Sequence, residues 1–364
     1  MSTLSGTPAR VLALTPYLYG RAPGPRSSVE LWERVLEPAG IDLEYAVFES
    51  ELLNEIIYEP GHTLQKALEM VRAYVRQMRR ALEVEDYDAV LIYREAALIG
   101  PELIERVAAR RKPVIYQLDD PLYVPYRSPF NGYMSYLKFF GKVGRICRLS
   151  SVVIVNSPQH REYASRFASS IWEIPSVVDG DVYKPRPGRT VDGPPMIGWS
   201  GSKSTVANLG VIAEPLSQVL RSRDAELRLI GADSASIPEL PCSTVPWRAE
   251  TEVDDLARFD IGLVPLPHNA WNTRKFFLKL AQYMALGIPA IATPLGANPS
   301  VIEHGVTGFL ASTPEDWVRH LSELVDSPDL RESIGARAAE VAHERYTLEA
   351  NAEKIVGAFR AALG

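Results

Sequence analysis

The stretch WNTRKFFLKLAQYMALGIPAIAT, residues 271–293, carries Lys275, Lys279 and Gln282 at i, i+4 and i+7. On a helix these three share one face. The positions between them (Phe276, Phe277, Leu278, Leu280, Ala281, Met284, Ala285) are apolar, so the helix expected over 274–286 is mostly buried and keeps one cationic stripe. Arg274 and Lys275 at its start oppose the partial positive charge of a helix N-terminus by roughly 0.3–1 kcal/mol each. An anion reverses that sign, because free N–H groups, the helix dipole and two or three cations then converge on one phosphate. A solvated helix edge is the plainer alternative.

Two further stretches suit the same chemistry. GWSGSKSTVANL, residues 198–209, follows a strand pattern and leads into a helical one. Gly201, Ser202, Lys203 and Thr205 fit a loop whose backbone approaches a ligand, although the stretch matches neither the dinucleotide fingerprint nor the Walker A loop. TPLGANPSVIEHGVTGFL, residues 293–310, leaves the strand after the cationic helix, with Leu295, Gly296 and Asn298 in its turn. All three loops are expected at the carboxyl ends of strands, where open α/β sheets bind ligands.

The first half offers acids and arginines. Asp119 and Asp120 end a strand pattern and fit either the positioning or deprotonation of a hydroxyl or a plain turn cap. Arg94 and Glu95 end another, where a ligand role and a structural ion pair are equally open. Arg21 and Arg26 stand in YGRAPGPRSSVELW, residues 19–32, a loop after the first strand. The segment 126–149 holds Arg127, Lys138, Lys142, Arg145 and Arg148, interleaved with aromatics and without an acid. It suits an anionic membrane surface, an acidic ligand, or a packed helix with its basic face in water.

The elements that would position these residues alternate. Strand patterns at 10–14, 43–48, 88–93, 113–118 and 151–156 are separated by helical ones, at about 27–38, 63–82, 101–110 and 133–148. A Pro- and Gly-rich segment, 177–195, reads as a linker. Strand patterns then resume at 195–200, 226–231, 260–266 and 289–293, with helices at about 207–221, 274–286, 314–326, 330–345 and 348–363. Such alternation predicts α/β architecture, with parallel sheets covered on both faces. The expected arrangement is two doubly wound, Rossmann-like domains facing a central cleft: 1–185, and 186–345, with the helix over about 346–364 packing back on the first.

The composition excludes several classes. A net charge of −6 over 364 residues gives no global basic field for nucleic acid. No apolar run reaches the roughly 18 residues of a membrane span. The start lacks a signal-peptide pattern, and Cys147 and Cys242 read as free thiols, so a cytoplasmic protein is expected. No metal-ligand spacing stands out.

RKFFLKLAQYMALGIPAIATPLGANPSVIEHGVTGFLA resembles the donor-site region of glycosyltransferase family 4, retaining enzymes with a GT-B fold. IGWSGSKSTVANL, ELRLIG and FDIGLVPLPHNAWNTRK resemble the same family, and YREAALIGPELIE, VIYQLDDPLY, VVIVNSPQHREYA and EIPSVVDGDVY have less specific counterparts in it. The family's pair of donor-binding glutamates falls on Arg274 and Gln282, and its diphosphate-binding arginine on Ser202. The resemblance is to a branch in which Lys and Gln replace the glutamates. It implies a first domain on the acceptor side and a second domain holding the donor.

Under that resemblance the donor is a nucleotide-diphosphate sugar, UDP- or GDP-linked, and no cofactor or metal is needed. Its diphosphate is met by Lys203, Lys275 or Lys279, and Gln282 is placed for a ribose hydroxyl. The acceptor is a hydroxyl of a glycan, lipid-linked or small-molecule compound, as in polysaccharide biosynthesis, with Arg21, Arg26, Arg94, Glu95, Asp119 and Asp120 on its side. Peripheral contact with the inner face of a membrane is compatible with this, and the oligomeric state is not legible. The alternatives are an epimerase or phosphorylase of the same fold, or a non-catalytic two-domain sugar-binding protein.

Overall fold

A computed structural model describes residues 7–57, 59–126, 132–185, 193–202 and 205–364. The chain divides into two compact units, Met1–Ser176 with Asn351–Gly364, and Val177–Ala350. The boundaries read from composition, 185/186 and about 346, differ from these by several residues. Val177, Val178 and Tyr183 are buried, and Val178 pairs with Thr347. The segment expected as a linker therefore begins as packed structure of the second unit.

The first unit contains a parallel six-stranded sheet: β1 (Ala9–Thr15), β2 (Ile41–Val47), β3 (Ala89–Tyr93), β4 (Val114–Leu118), β5 (Val152–Val155) and β6 (Ile171–Glu173). Their order is β2-β1-β3-β4-β5-β6. Every residue of β3, β4 and β5 is buried, which explains their continuous apolar runs, since parallel strands are covered on both faces. Helices Thr63–Leu82, Leu103–Ala109 and Lys142–Leu149 return the chain between strands. Ala73, Ala81, Ile104, Val143 and Ile146 pack from them onto Leu12, Ile92, Tyr116 and Val153. One expected helix is corrected. The segment 133–148 is a 3-10 helix, Gly132–Lys138, followed by the helix Lys142–Leu149. The interruption falls at Phe139, whose φ of 54° is incompatible with a continuous α-helix.

The second unit holds β7 (Met196–Ser200), β8 (Glu226–Ile230), β9 (Ser243–Val245), β10 (Ile261–Val264), β11 (Ala290–Ala292) and β12 (Phe309–Leu310), all parallel. Their order is β12-β11-β10-β7-β8-β9. Alternation along the strands separates two cores. Ala290 and Ala292 pack with Leu280 and Met284 on one face. Ile197, Leu263 and Ile291 pack with Leu216, Leu321 and Leu324 on the other. The expected helix over 207–221 is a 3-10 helix, Val206–Ile212, continuing as the α-helix Ala213–Ser222. Two parallel sheets of this kind match the GT-B architecture.

Candidate functional site

β11, β10 and β7 are neighbours, so the loops at their carboxyl ends are neighbours too. The first runs on from Ser200. A Cβ on Gly201 would lie 2.4 Å from the Trp199 ring, so the loop leaves β7 against the indole. Ser202 N–H donates to Thr205 Oγ1 (3.1 Å), and Thr205 N–H donates to the Ser202 carbonyl (2.9 Å), closing a short turn. Lys203 lies outside the described residues.

The second loop follows β10. Asn269 Oδ1 accepts from the N–H groups of Trp271 (3.0 Å) and Asn272 (2.8 Å), which starts a 3-10 turn, Asn272–Arg274. Lys275 is extended, with φ −98° and ψ 145°, and the α-helix runs from Leu278 to Ala285. The helix expected from Arg274 is therefore corrected: it begins four residues later, and Arg274 and Lys275 precede it. The cause is a long-range packing contact. Gly296, with φ 58°, brings the β11 loop so close that a Cβ would lie 2.3 Å from the Lys275 carbonyl oxygen. That carbonyl accepts from Ala297 N–H (3.1 Å), so it is not available to a helical turn. Arg274 donates through Nη1 to the Ala270 carbonyl (2.6 Å).

Lys279 sits in the first turn of helix Leu278–Ala285, half-buried, with Nζ 4.6 Å from the Trp199 ring centroid. Among the described residues no carboxylate pairs with it. Burial, then the neighbouring charge of Lys275, push its ammonium down to about 7. The N-cap residue, Phe277, offers no side-chain acceptor to the first-turn N–H groups, so that end of the helix carries both a free dipole and a free cation. One turn further on, Tyr283 OH accepts from Ser200 N–H (3.1 Å) and ties the helix to the end of β7.

Gln282 diverges from the two lysines. Its Nε2 donates to Tyr183 OH (2.9 Å) and Glu252 Oε1 (3.3 Å). Glu252 also accepts from Trp247 Nε1 (2.9 Å) and Tyr183 OH (3.2 Å). Sequence reasoning missed this carboxylate, because ETEVDDL reads as an ordinary acidic helix start. Leu295, Gly296 and Asn298 form the β11 loop. Asn298 Nδ2 donates to the Thr293 carbonyl (2.9 Å), and its Oδ1 is buried without a partner among the described residues.

In the first unit, Arg94 directly follows β3 with φ 60°, a strained conformation for a side chain of this size. Its Nε donates to Asp119 Oδ1 (2.6 Å), its Nη2 to Asp119 Oδ2 (2.9 Å), and its Nη1 to Tyr17 OH (3.0 Å). Nη2 also lies 2.7 Å from Asp120 Oδ2. Tyr93 OH donates to Asp119 Oδ2 (2.7 Å). Burial works against the guanidinium charge, but Asp119 and then Asp120 outweigh it and hold the group well above its ordinary value. The loop carrying Arg21 and Arg26 reaches this cluster at Gly24, where a Cβ would lie 2.5 Å from Tyr93 OH. Arg21 itself is exposed, 3.8 Å from Glu51.

Glu95 turns away from that cluster to Lys142 (2.9 Å) and Lys138 (3.5 Å). Burial would raise its carboxyl, but the two lysines overturn that and hold it below the ordinary range. Of the basic segment 126–149, Arg127 and Phe130 lie outside the described residues. The carboxylates of Asp179, Asp181 and Glu349 come close enough together for one cation. They are exposed or half-exposed, and Glu349 already accepts from Gly180 N–H (3.1 Å).

Residues 194–327 match the family described as Glycosyl transferases group 1. N-acetyl-alpha-D-glucosaminyl L-malate synthase of Bacillus anthracis is 34% identical over 86 residues, 23% of this chain and 22% of that protein. D-inositol 3-phosphate glycosyltransferase of Nocardioides sp. is 27% identical over 176 residues, 42% of this chain and 38% of that protein. The aligned stretches thus span well under two thirds of either relative. Among solved structures, Anabaena Alr3699/HepE in complex with UDP-glucose superposes with a TM-score of 0.67 at 16% identity, covering 97% of this chain and 99% of that one. Sucrose-phosphate synthase from Thermosynechococcus elongatus superposes with a TM-score of 0.70 at 14% identity, covering 96% and 98%. The chain has the GT-B fold, matches the group 1 glycosyl transferases over residues 194–327, and resembles glycosyltransferase family 4.

Proposed function

We propose that the chain is a retaining glycosyltransferase that moves a sugar from a nucleotide-diphosphate sugar to a hydroxyl acceptor. The observation that carries this reading is Lys279: a half-buried cation without an acidic partner among the described residues, in the first turn of a helix with no side-chain cap. Such a group lowers the stability of an empty protein and suits an anionic ligand. As the glycosidic bond breaks, negative charge grows on the leaving nucleoside diphosphate. Lys279, Lys275 and the helix N–H groups stabilise that charge electrostatically, with no metal required. Lys203 is a third cation for the same group. Gly201, Ser202 and Thr205 contribute backbone and hydroxyl contacts, and Leu295, Gly296 and Asn298 close the other side. The HepE structure holds UDP-glucose, which supports a nucleotide-sugar donor for this fold; in our reading the donor is UDP- or GDP-linked.

We assign the acceptor to the first unit. Asp119 and Asp120 are both ion-paired to Arg94, an arrangement that suits accepting a hydrogen bond from a hydroxyl better than removing its proton. Arg21 and Arg26 belong to the loop over the same cluster, while Glu95 serves the fold through Lys142. A retaining reaction on one face of the sugar needs no strict protein base. Acceptors in this reading are glycan, lipid-linked or small-molecule hydroxyls. The test is a panel of UDP- and GDP-sugars, with and without candidate acceptors. Slow release of nucleoside diphosphate from one of them is expected. Affinity for free sugars without affinity for any nucleotide contradicts the reading.

A further inference from the structure

Arg274 is a cation that the diphosphate contact leaves over. It closes the 3-10 turn Asn272–Arg274, between β10 and the helix Leu278–Ala285, and is half-buried. Its Nη1 donates to the Ala270 carbonyl (2.6 Å) and to Thr273 Oγ1 (3.2 Å). These two bonds fix the orientation of the guanidinium. The turn itself is held by the β11 loop, where a Cβ on Gly296 would lie 2.7 Å from the Asn272 carbonyl oxygen. Nε and Nη2 have no partner among the described residues, and no carboxylate among them pairs with the group.

Nε–H and one Nη2–H of an arginine point the same way and form a rigid fork. In the first unit Arg94 turns this same edge on a carboxylate, with Nε donating to Asp119 Oδ1 (2.6 Å) and Nη2 to Asp119 Oδ2 (2.9 Å). In Arg274 the fork is held from behind and unused. Its complement is a planar anion with two oxygens, bound side-on.

Charge balance calls for such an anion. From Ile261 to Ile302 the chain contains Arg274, Lys275 and Lys279 and no Asp or Glu. Lys275 lies close enough to Lys279 for its charge to be felt there, and in the donor reading both meet the diphosphate. A nucleotide-diphosphate sugar carries one negative charge on each phosphate, which those two lysines match. Against a neutral sugar, whose hydroxyls offer only dipoles, Arg274 stays uncompensated. Glu252 does not serve it, being turned to Trp247, Tyr183 and Gln282. Position agrees with charge. Gln282 lies one turn beyond Lys279 along the helix, and Arg274 lies before the helix. A donor laid with its nucleoside towards Gln282 therefore has its sugar on the Arg274 side.

We propose that Arg274 selects a donor whose sugar is a hexuronic acid, binding the C6 carboxylate through Nε and Nη2. The inference rests on the donor reading of this site and narrows its substrate class. Arg274 makes and breaks no bond; it determines specificity. The carboxylate supplies the counter-charge that no residue of the turn supplies, and the fork fixes the orientation of the sugar ring. A neutral hexose leaves the half-buried guanidinium without a counter-charge, so the site discriminates against it.

The test is calorimetric titration of the full-length chain with two matched series: UDP, UDP-glucose and UDP-glucuronate, and GDP, GDP-mannose and GDP-mannuronate. In a series whose free nucleoside diphosphate binds, the uronate should bind roughly 10- to 100-fold more tightly than the neutral sugar. Arg274→Gln should abolish that preference and leave affinity for the neutral-sugar donor unchanged. Arg274→Lys keeps the charge without the fork and should retain part of the preference. Binding of a nucleoside diphosphate with no preference for the uronate in the intact chain overturns the inference and leaves the donor reading standing. So does an Arg274→Gln variant that weakens the neutral-sugar donor as much as the uronate, because Arg274 then meets a phosphate. No affinity for either nucleoside diphosphate overturns both.

Discussion

Lys279 holds its ammonium 4.6 Å from the ring centroid of Trp199, and the indole is the only cation acceptor it meets among the described residues. A ring face gives a buried cation about 0.5–2 kcal/mol, less than a carboxylate would. Burial and the adjacent Lys275 accordingly depress the group to about 7. In the proposed function the same two causes give the site affinity for an anion and sensitivity to pH.

Nucleoside diphosphate binding should therefore take up a proton at neutral pH. In the empty protein Lys279 is half-protonated at about 7, and a bound diphosphate raises its value. Affinity is highest below that pH and weakens by up to about tenfold per unit above it, until the bound-state value is reached. Titration calorimetry in buffers of different ionisation enthalpy measures the uptake. A pH-independent affinity between 7 and 9, with no proton uptake, would falsify the assignment.

The same lysine should cost the empty protein stability. Its value is about 7 when folded and ordinary, near 10.5, when unfolded, so the unfolded chain binds more protons between those limits and stability rises with pH across the window. At and below pH 7 the penalty is at its full size. Lys279→Met should raise the melting temperature by roughly 2–6 °C near pH 6, with the gain shrinking towards pH 10. Equal gains at both ends would show that packing, not charge, is responsible.

Arg94 should be indispensable to the first unit. Arg94→Ala leaves Asp119 and Asp120 buried without their cation, which costs about 3–5 kcal/mol. Arg94→Lys keeps the charge but loses the two-pronged contact with Asp119 and the bond to Tyr17, and should recover part of that loss. Urea unfolding of the two variants measures the difference. A cost below 1 kcal/mol for Arg94→Ala would mean that the aspartates are stable without it.

Glu252 gathers three donors, from Trp247, Tyr183 and Gln282. Glu252→Ala removes the acceptor these donors share and should cost about 1–3 kcal/mol, while Glu252→Gln retains one acceptor and should cost less. Because Gln282 is oriented by this carboxylate, Glu252→Gln should also change nucleotide affinity more than affinity for inorganic diphosphate. Equal effects on both ligands would place Gln282 away from the nucleoside.

Much of the fold was legible from periodicity. The helix Thr63–Leu82 and the buried strands declare themselves because their apolar spacing is strict. The three strands not anticipated, β6, β9 and β12, are two or three residues long and all lie at sheet edges, where half the burial signal is missing. The start of the helix carrying Lys279 was misplaced because FFL continues the apolar run without a break. What stops the helix before Leu278 is the packing of Gly296 on the Lys275 carbonyl, which no local pattern announces. Lys275 and Lys279 stand out in the sequence by type, but the single helix face expected from their spacing does not form, because Lys275 precedes the helix. Glu252 does not stand out, since its partners Tyr183 and Gln282 stand 69 and 30 residues away.

The most direct measurement is calorimetric titration of UDP and GDP into the full-length chain and into Lys279→Met, just below pH 7. One charge-assisted contact to a diphosphate is worth about 1.5–3 kcal/mol. The intact chain should bind at least one of the two ligands, and Lys279→Met should bind it roughly 10- to 100-fold more weakly with its fold intact. Undiminished affinity in Lys279→Met, or no affinity for either nucleoside diphosphate in the intact chain, would contradict the account.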